Sequence, residues 1–174
     1  MDLQSRKEQI NDWYHAYSND VYNYIYFLIG NHEQAKDILQ ETYLRAYNHY
    51  DSFKGENIRG GLFRIARNLT IDDIRKKKPI SYFLDSIPIL KSSELSPEQI
   101  ALLNESEQEL YIALSKLKLA YRDVIVLRKI KELSISETAS VLGCSENKVK
   151  VNLFRGMKAL RKELEKENFG HETI

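Results

Sequence analysis

Lys148, Lys150, Arg155, Lys158 and Lys162 recur through the stretch from Leu133 to Arg161, mostly beside an apolar stripe formed by Val149, Leu153, Leu160 and Leu164. The chemistry available to these groups is noncovalent. Ammonium and guanidinium groups neutralise phosphates, and a guanidinium can donate two hydrogen bonds to a guanine edge. A second constellation, Asp37, Gln40, Glu41 and Arg45, falls at i, i+3, i+4 and i+8, on one face of a helix. Two carboxylates one turn apart could serve acid–base or metal chemistry, but no His or Cys lies close in sequence to complete such a set. His15, His32, His49 and His171 are scattered, and neither a nucleophile–base pair nor a phosphate-binding glycine loop is present. The expectation is a protein that binds and does not catalyse, with no catalytic residue, cofactor or metal.

The elements that must hold these residues are helical. Ser134-Ile135-Ser136-Glu137 is a capping box, in which the serine hydroxyl and the glutamate reciprocally satisfy backbone amides. Ala139 is small enough for a second helix to pack close. Gly143 falls where the chain must turn with positive φ, and Ser145 can cap the helix that follows. This is a helix-turn-helix pattern whose second helix would enter a major groove; two packed helices with a solvated lysine face are the bland alternative. In the first half, Trp13, Tyr17, Val21, Tyr24 and Leu28 step along one face of a long helix. Gly30 ends it, and Asn31 caps a second helix over 33–50 with Ala35, Ile38, Leu39, Thr42, Ala46 and Tyr50 inward. Asp51 to Gly55 forms a turn anchored by Phe53. No stretch alternates long enough to favour a strand.

The segment from Gly60 to Lys78 is out of phase. Leu62, Ile65, Ala66 and Leu69 share a face, while Ile71 and Ile74 lie about 150° round it at roughly 100° per residue. A break at 68–70 would resolve the conflict, with Thr70-Ile71-Asp72-Asp73 capping a further helix that carries Arg75 to Lys78. Pro79, Pro88 and Pro97, with interspersed serines, mark a linker. Its Ile80, Tyr82, Phe83, Leu84, Ile87, Ile89 and Leu90 either dock on a partner or cover the protein's own core. Helices are expected again over 97–117 and 121–131.

The 174 residues are 43% hydrophobic, enough for one ordinary domain or two small ones. The lone Cys144 allows no intramolecular disulfide and reads as a small buried side chain. No apolar run reaches membrane-spanning length and no signal-peptide core follows Met1, so a cytoplasmic protein is expected. The net charge of +1 conceals a pattern. Residues 59–78 are strongly basic, 79–109 acidic, and the helix-turn-helix end basic again, which suggests two nucleic-acid surfaces separated by a segment that avoids DNA.

These pieces, in this order, resemble a bacterial sigma factor of the extracytoplasmic-function (ECF) type, of the sigma-70 family. The first-half match is Ala35-Lys36-Asp37-Ile38-Leu39-Gln40-Glu41-Thr42-Tyr43, then Phe53, then the run from Phe63 to Arg75. The second-half match is Ala113 to Leu117, Tyr121-Arg122-Asp123-Val124, Leu127-Arg128, Leu133-Ser134 and the helix-turn-helix. The sequence departs from the family where Gly60-Gly61 replaces a usual tryptophan, where Lys118 replaces a usual proline, and where Gly156 replaces a common alanine.

The resemblance implies an all-α fold of two small helical domains: residues 1–78 binding core polymerase and the −10 element, a linker over 79–103, a −35-binding domain over 104–168 and a tail over 169–174. It implies that Asp37, Gln40, Glu41 and Arg45 dock on the β′ clamp helices of core RNA polymerase, with the β flap as a further contact. Asn68, Thr70 and Asp72 would meet an opened −10 base, although the same residues could simply cap the loop. Arg64, Arg67, Arg75, Lys76 and Lys77 would hold phosphates. Lys150, Val151, Phe154 and Arg155 would face −35 base edges, with Lys148 at the backbone and Ser145 in the same −35 set. A membrane-bound anti-sigma factor is implied as a partner. The competing reading is a helix-turn-helix regulator that binds an operator without polymerase.

Overall fold

The computed structural model describes residues 2–53, 57–77 and 104–172, with side chains described to residue 166. The expected linker over 79–103 and the start of the helix expected from Pro97 lie outside the described residues. Among those described, all regular structure is helical.

Helix α1 (Leu3–Ile29) starts where the Asp2 carboxylate accepts the Ser5 amide at 2.7 Å, and it stops at Gly30, whose φ of 66° only glycine takes without strain. Asn31 accepts the Gln34 amide at 3.0 Å and opens α2 (His32–Asn48). A single 3-10 turn, Tyr50–Phe53, folds back so that Tyr50 stacks on Trp13 at 5.4 Å and Phe53 tilts against it at 5.2 Å. Helix α3 (Ile58–Lys77) then packs on both α1 and α2. Its first turn is capped by Asn57, which accepts the Gly60 amide at 3.1 Å.

The second half begins with α4 (Glu105–Ser115), opened by a capping box of Asn104 and Glu107. Helix α5 (Leu119–Ile125) runs on into a π turn over Val126–Ile130. Helix α6 (Ile135–Leu142) has the Ser134–Glu137 capping box, and Gly143, at φ 64°, turns the chain into α7 (Glu146–Glu172), which therefore runs into the segment expected as a tail over 169–174. The Ser145 hydroxyl accepts the Lys148 amide at 3.1 Å. Gly156 permits a close crossing, since a Cβ there would stand 3.1 Å from Tyr121 Cβ and 3.2 Å from Ile125 Cδ1.

One expectation is overturned. The break expected at 68–70 does not occur, and α3 is continuous through Asn68, Leu69, Thr70, Ile71 and Asp72. The Thr70 hydroxyl is buried and donates to the Ala66 carbonyl four residues back at 2.7 Å, so it caps nothing. The out-of-phase apolar residues are accommodated because α3 packs on α1 and α2 and also on α6. Leu62, Phe63, Ala66, Thr70 and Ile71 are all buried, an arc of roughly 180° at about 100° per residue. A helix resting on one layer buries a stripe nearer 100° wide. The sequence pattern of two half-faces is the signature of a sandwiched helix.

Candidate nucleic-acid interface

Helix α7 owes its placement to three local devices: the α6 capping box, the left-handed Gly143 and the Ser145 cap. Val149 is fully buried and Leu160 nearly so, which turns the opposite side of the helix outward. On that side Lys148, Lys150, Val151, Phe154 and Arg155 are all exposed. Phe154 is 74% exposed and Val151 45%, large apolar side chains with no internal role. An exposed phenylalanine flanked by cations suits a surface that meets thymine methyl groups and phosphates together. Ser145 is exposed as well, although its hydroxyl is engaged in the cap.

Helix α2 presents the second surface. Ala35, Ile38, Leu39, Thr42 and Ala46 face inward, leaving Asp37, Gln40 and Arg45 exposed and Glu41 half-buried on the outer side. Arg45 Nε bonds Glu41 Oε1 at 3.1 Å, an exposed i,i+4 pair that orients both heads and stabilises the fold little. Leu44, 55% exposed, lies among them, one turn beyond Gln40 and Glu41. Sequence reasoning missed it because a leucine in a helix is expected to face inward; only the completed packing leaves it outside.

Helix α3 carries the third set. Arg64, Asn68, Asp72, Arg75, Lys76 and Lys77 are exposed, with Lys77 paired to Asp73 at 3.3 Å. Thr70 is buried, so its proposed base contact is incompatible with this structure. Arg67 is also diverted. Its Nε lies 3.0 Å from Oδ2 of Asp123 on α5, and the Tyr24 hydroxyl donates to Oδ1 of the same carboxylate at 2.5 Å. Burial pushes the Asp123 carboxyl above its usual range against the opposing pull of Arg67. Burial likewise holds the Tyr24 phenol well above its ordinary value, so it remains a donor. Next along α5, Arg122 is buried with its guanidinium bonded to the carbonyls of Leu114, Ser115, Leu117 and Leu28, and desolvation brings its pKa down to about 10.

Arg67 and Asp123 line one side of a cleft of about 300 Å³, whose lining also includes Lys118, Lys148, Asn152 and Arg155. The described residues contain no cluster of His, Cys, Asp and Glu able to hold a metal ion. They contain no helix long and apolar enough to cross a membrane.

Comparison with known proteins decides the class. Residues 13–80 match the family model for sigma-70 region 2, and residues 107–160 match that for sigma-70 region 4. The ECF RNA polymerase sigma factor SigX of Bacillus subtilis is 36% identical over 87% of this chain and 81% of its own length. The chain belongs to the sigma-70 family.

It is an ECF-type RNA polymerase sigma factor that directs promoter-specific transcription with core RNA polymerase. SigW of the same organism is 38% identical over 85% of this chain and 84% of its own. Two solved structures share the sigma factor's fold, each with a TM-score of 0.70 and 22% identity over 91% of this chain. One is the sigma factor RpoE from Bartonella quintana in complex with the anti-sigma factor NepR, covered over 98%; the other is CnrH in complex with the cytosolic domain of CnrY, covered over 89%. Region 2 thus takes in α1 to α3, and region 4 takes in the helix-turn-helix of α6 and α7.

Proposed function

We propose that this sigma factor divides its task among three helix faces. The α2 face of Asp37, Gln40, Glu41 and Arg45, extended by Leu44, docks on the β′ clamp helices of core polymerase, with region 4 meeting the β flap. An exposed leucine set among charged groups suits a protein interface, where apolar area supplies affinity and charges supply register. On α3, Arg64, Arg75, Lys76 and Lys77 hold the phosphates of the −10 strand, joined by Arg67 when it is released from Asp123. Asn68 and Asp72 offer donors and acceptors to an unstacked base. On α7, Arg155, Lys150, Val151 and Phe154 read the −35 element from the major groove, and Lys148 contacts its backbone.

The observation that carries this reading is the outward face of α7, where Val151, Phe154 and Arg155 stand exposed beside Lys148 and Lys150 on a helix fixed by caps at both ends of its turn. Phosphate-binding cations alone would not call for an exposed phenylalanine. Likeness to sigma factors solved with anti-sigma partners supports an anti-sigma factor for this chain as well. A cytoplasmic location follows from work on chromosomal DNA.

Run-off transcription with purified core polymerase, over a promoter library mutated base by base at −35, tests the assignment. Arg155→Ala should cost about 1–3 kcal/mol at one base position and relax specificity there. Equal loss on all sequences would make Arg155 a phosphate contact.

A further inference from the structure

The cleft bordered by α3, α5 and α7 gathers more positive charge than the protein's own acids answer. Arg67 of α3 lines it together with Lys118, Lys148 and Arg155. The carboxylate in the lining, Asp123, is 1% exposed, and both of its oxygens are occupied, by Arg67 Nε at 3.0 Å and by the Tyr24 hydroxyl at 2.5 Å. Lys118, Lys148 and Arg155 are exposed, and among the described residues no acid pairs with any of them. Lys118 Nζ lies 5.8 Å from the centre of the Tyr121 ring, a cation–π contact that leaves the ammonium able to donate elsewhere.

Cations lining one concavity repel one another and concentrate the field within it, and both effects favour an anion there. The space is about 300 Å³, at the small end of ligand pockets and near ten water volumes of about 30 Å³ each. A chain of two or three phosphates suits that size and carries enough charge to answer the unpaired cations. Asn152 and the half-buried Tyr121 share the lining, an amide and a ring able to meet a group attached to such a chain. Promoter contacts do not account for the set, since Lys118 and Asn152 belong to neither the −10 nor the −35 assignment.

We propose that this cleft is a binding site for a small ligand bearing a diphosphate or triphosphate chain, held by Lys118, Lys148 and Arg155, with Asn152 as a neutral contact. The site does not depend on which promoter groups Lys148 and Arg155 meet. Lys118 and Asn152 test it apart from those assignments.

Isothermal titration calorimetry on the full chain, at constant ionic strength, uses sodium tripolyphosphate, pyrophosphate, orthophosphate and adenosine diphosphate as probes. Tripolyphosphate should bind once per chain, more tightly than pyrophosphate, with orthophosphate weakest. Lys118→Ala should weaken tripolyphosphate by on the order of tenfold, the scale of one charge-assisted hydrogen bond, and Lys118→Arg should restore it. Asn152→Ala should weaken it less. Lys7→Ala, which removes an exposed cation of α1 outside the cleft, should leave it unchanged. Lys118→Ala without ligand should keep the parent melting temperature, so that the loss is one of binding. Amide chemical shifts on titration should move most at Ala120, Cys144 and Asn152. Adenosine diphosphate tighter than pyrophosphate, with the difference removed by Tyr121→Leu, supports the site with a nucleotide as the source of the chain. Equal affinity supports it with a free polyphosphate as the source. The proposal is overturned by the absence of saturable binding, or by orthophosphate binding as tightly as tripolyphosphate. Equal weakening by Lys7→Ala and Lys118→Ala would also overturn it, because the attraction would then be diffuse.

Discussion

Gly61→Ala sets two opposing effects against each other at one position. Alanine in place of glycine within a helix gains about 0.5–1 kcal/mol from reduced backbone entropy in the unfolded chain. Against this, a Cβ on Gly61 would lie 2.6 Å from Phe53 Cε1 and 3.1 Å from Cδ1. Phe53 cannot simply swing away, because its ring packs on Trp13, which is held in turn by Tyr50. Forcing one extra carbon into such a site costs about 1–3 kcal/mol. At mid-range values, about 2 against about 0.75 kcal/mol, the clash wins by about 1 kcal/mol, and the melting temperature should fall by roughly 2–4 °C for a chain of this size. Gly60→Ala is the control. There a Cβ meets only the Asn57 side chain at 3.4 Å, an ordinary contact, so the change should be neutral or stabilising. Thermal and urea unfolding of Gly61→Ala, Phe53→Leu and the double variant close the cycle. With the ring gone, Gly61→Ala should change sign and stabilise. If Gly61→Ala stabilises the parent, or if the sign does not change with Phe53→Leu, the argument that Phe53 requires this glycine is refuted.

Lys148→Ala should weaken binding uniformly across −35 sequences and flatten the dependence of log K on log salt by about one unit of slope, measured by fluorescence anisotropy. Leu44→Glu should leave the unfolding free energy within about 0.5 kcal/mol of the parent, as for other exposed substitutions, while reducing capture of core polymerase in pull-down. Glu137 is held below its ordinary value chiefly by the Ser134 amide bonded to its carboxylate, with the Ser134 hydroxyl and Asn57 assisting. A depressed carboxylate stabilises the fold above its unfolded pKa, near 4.5, and that contribution is lost as pH falls through the folded value. Acid titration of stability should therefore show a loss below about pH 4.5 that Glu137→Gln lacks.

Much of the interface was legible locally. The capping box at Ser134 and Glu137, the turn at Gly143 and the cap at Ser145 depend on neighbours three or four residues away, and all three occur as expected. The α2 face was legible for the same reason, since a 3.6-residue period alone puts Asp37, Gln40, Glu41 and Arg45 together. Leu44 on that face was not, because its exposure depends on which neighbours α2 meets. The continuous α3 was misjudged because two apolar half-faces look like a phase error when only one packing partner is assumed. The second partner, α6, comes from the other half of the chain.

The sequence by itself therefore determined most of the helices, the caps at Asn31, Ser134 and Ser145, the clustering of cations and the family, all of which follow from short-range periodicity and residue order. Only tertiary structure decided the continuity of α3, the need for Gly61 beneath Phe53 and the capture of Arg67 by Asp123. Each of these joins residues through space that no local rule relates. A buried carboxylate persists only where partners meet both of its oxygens, and for Asp123 those partners are Tyr24, 99 residues away in sequence, and Arg67, 56 away.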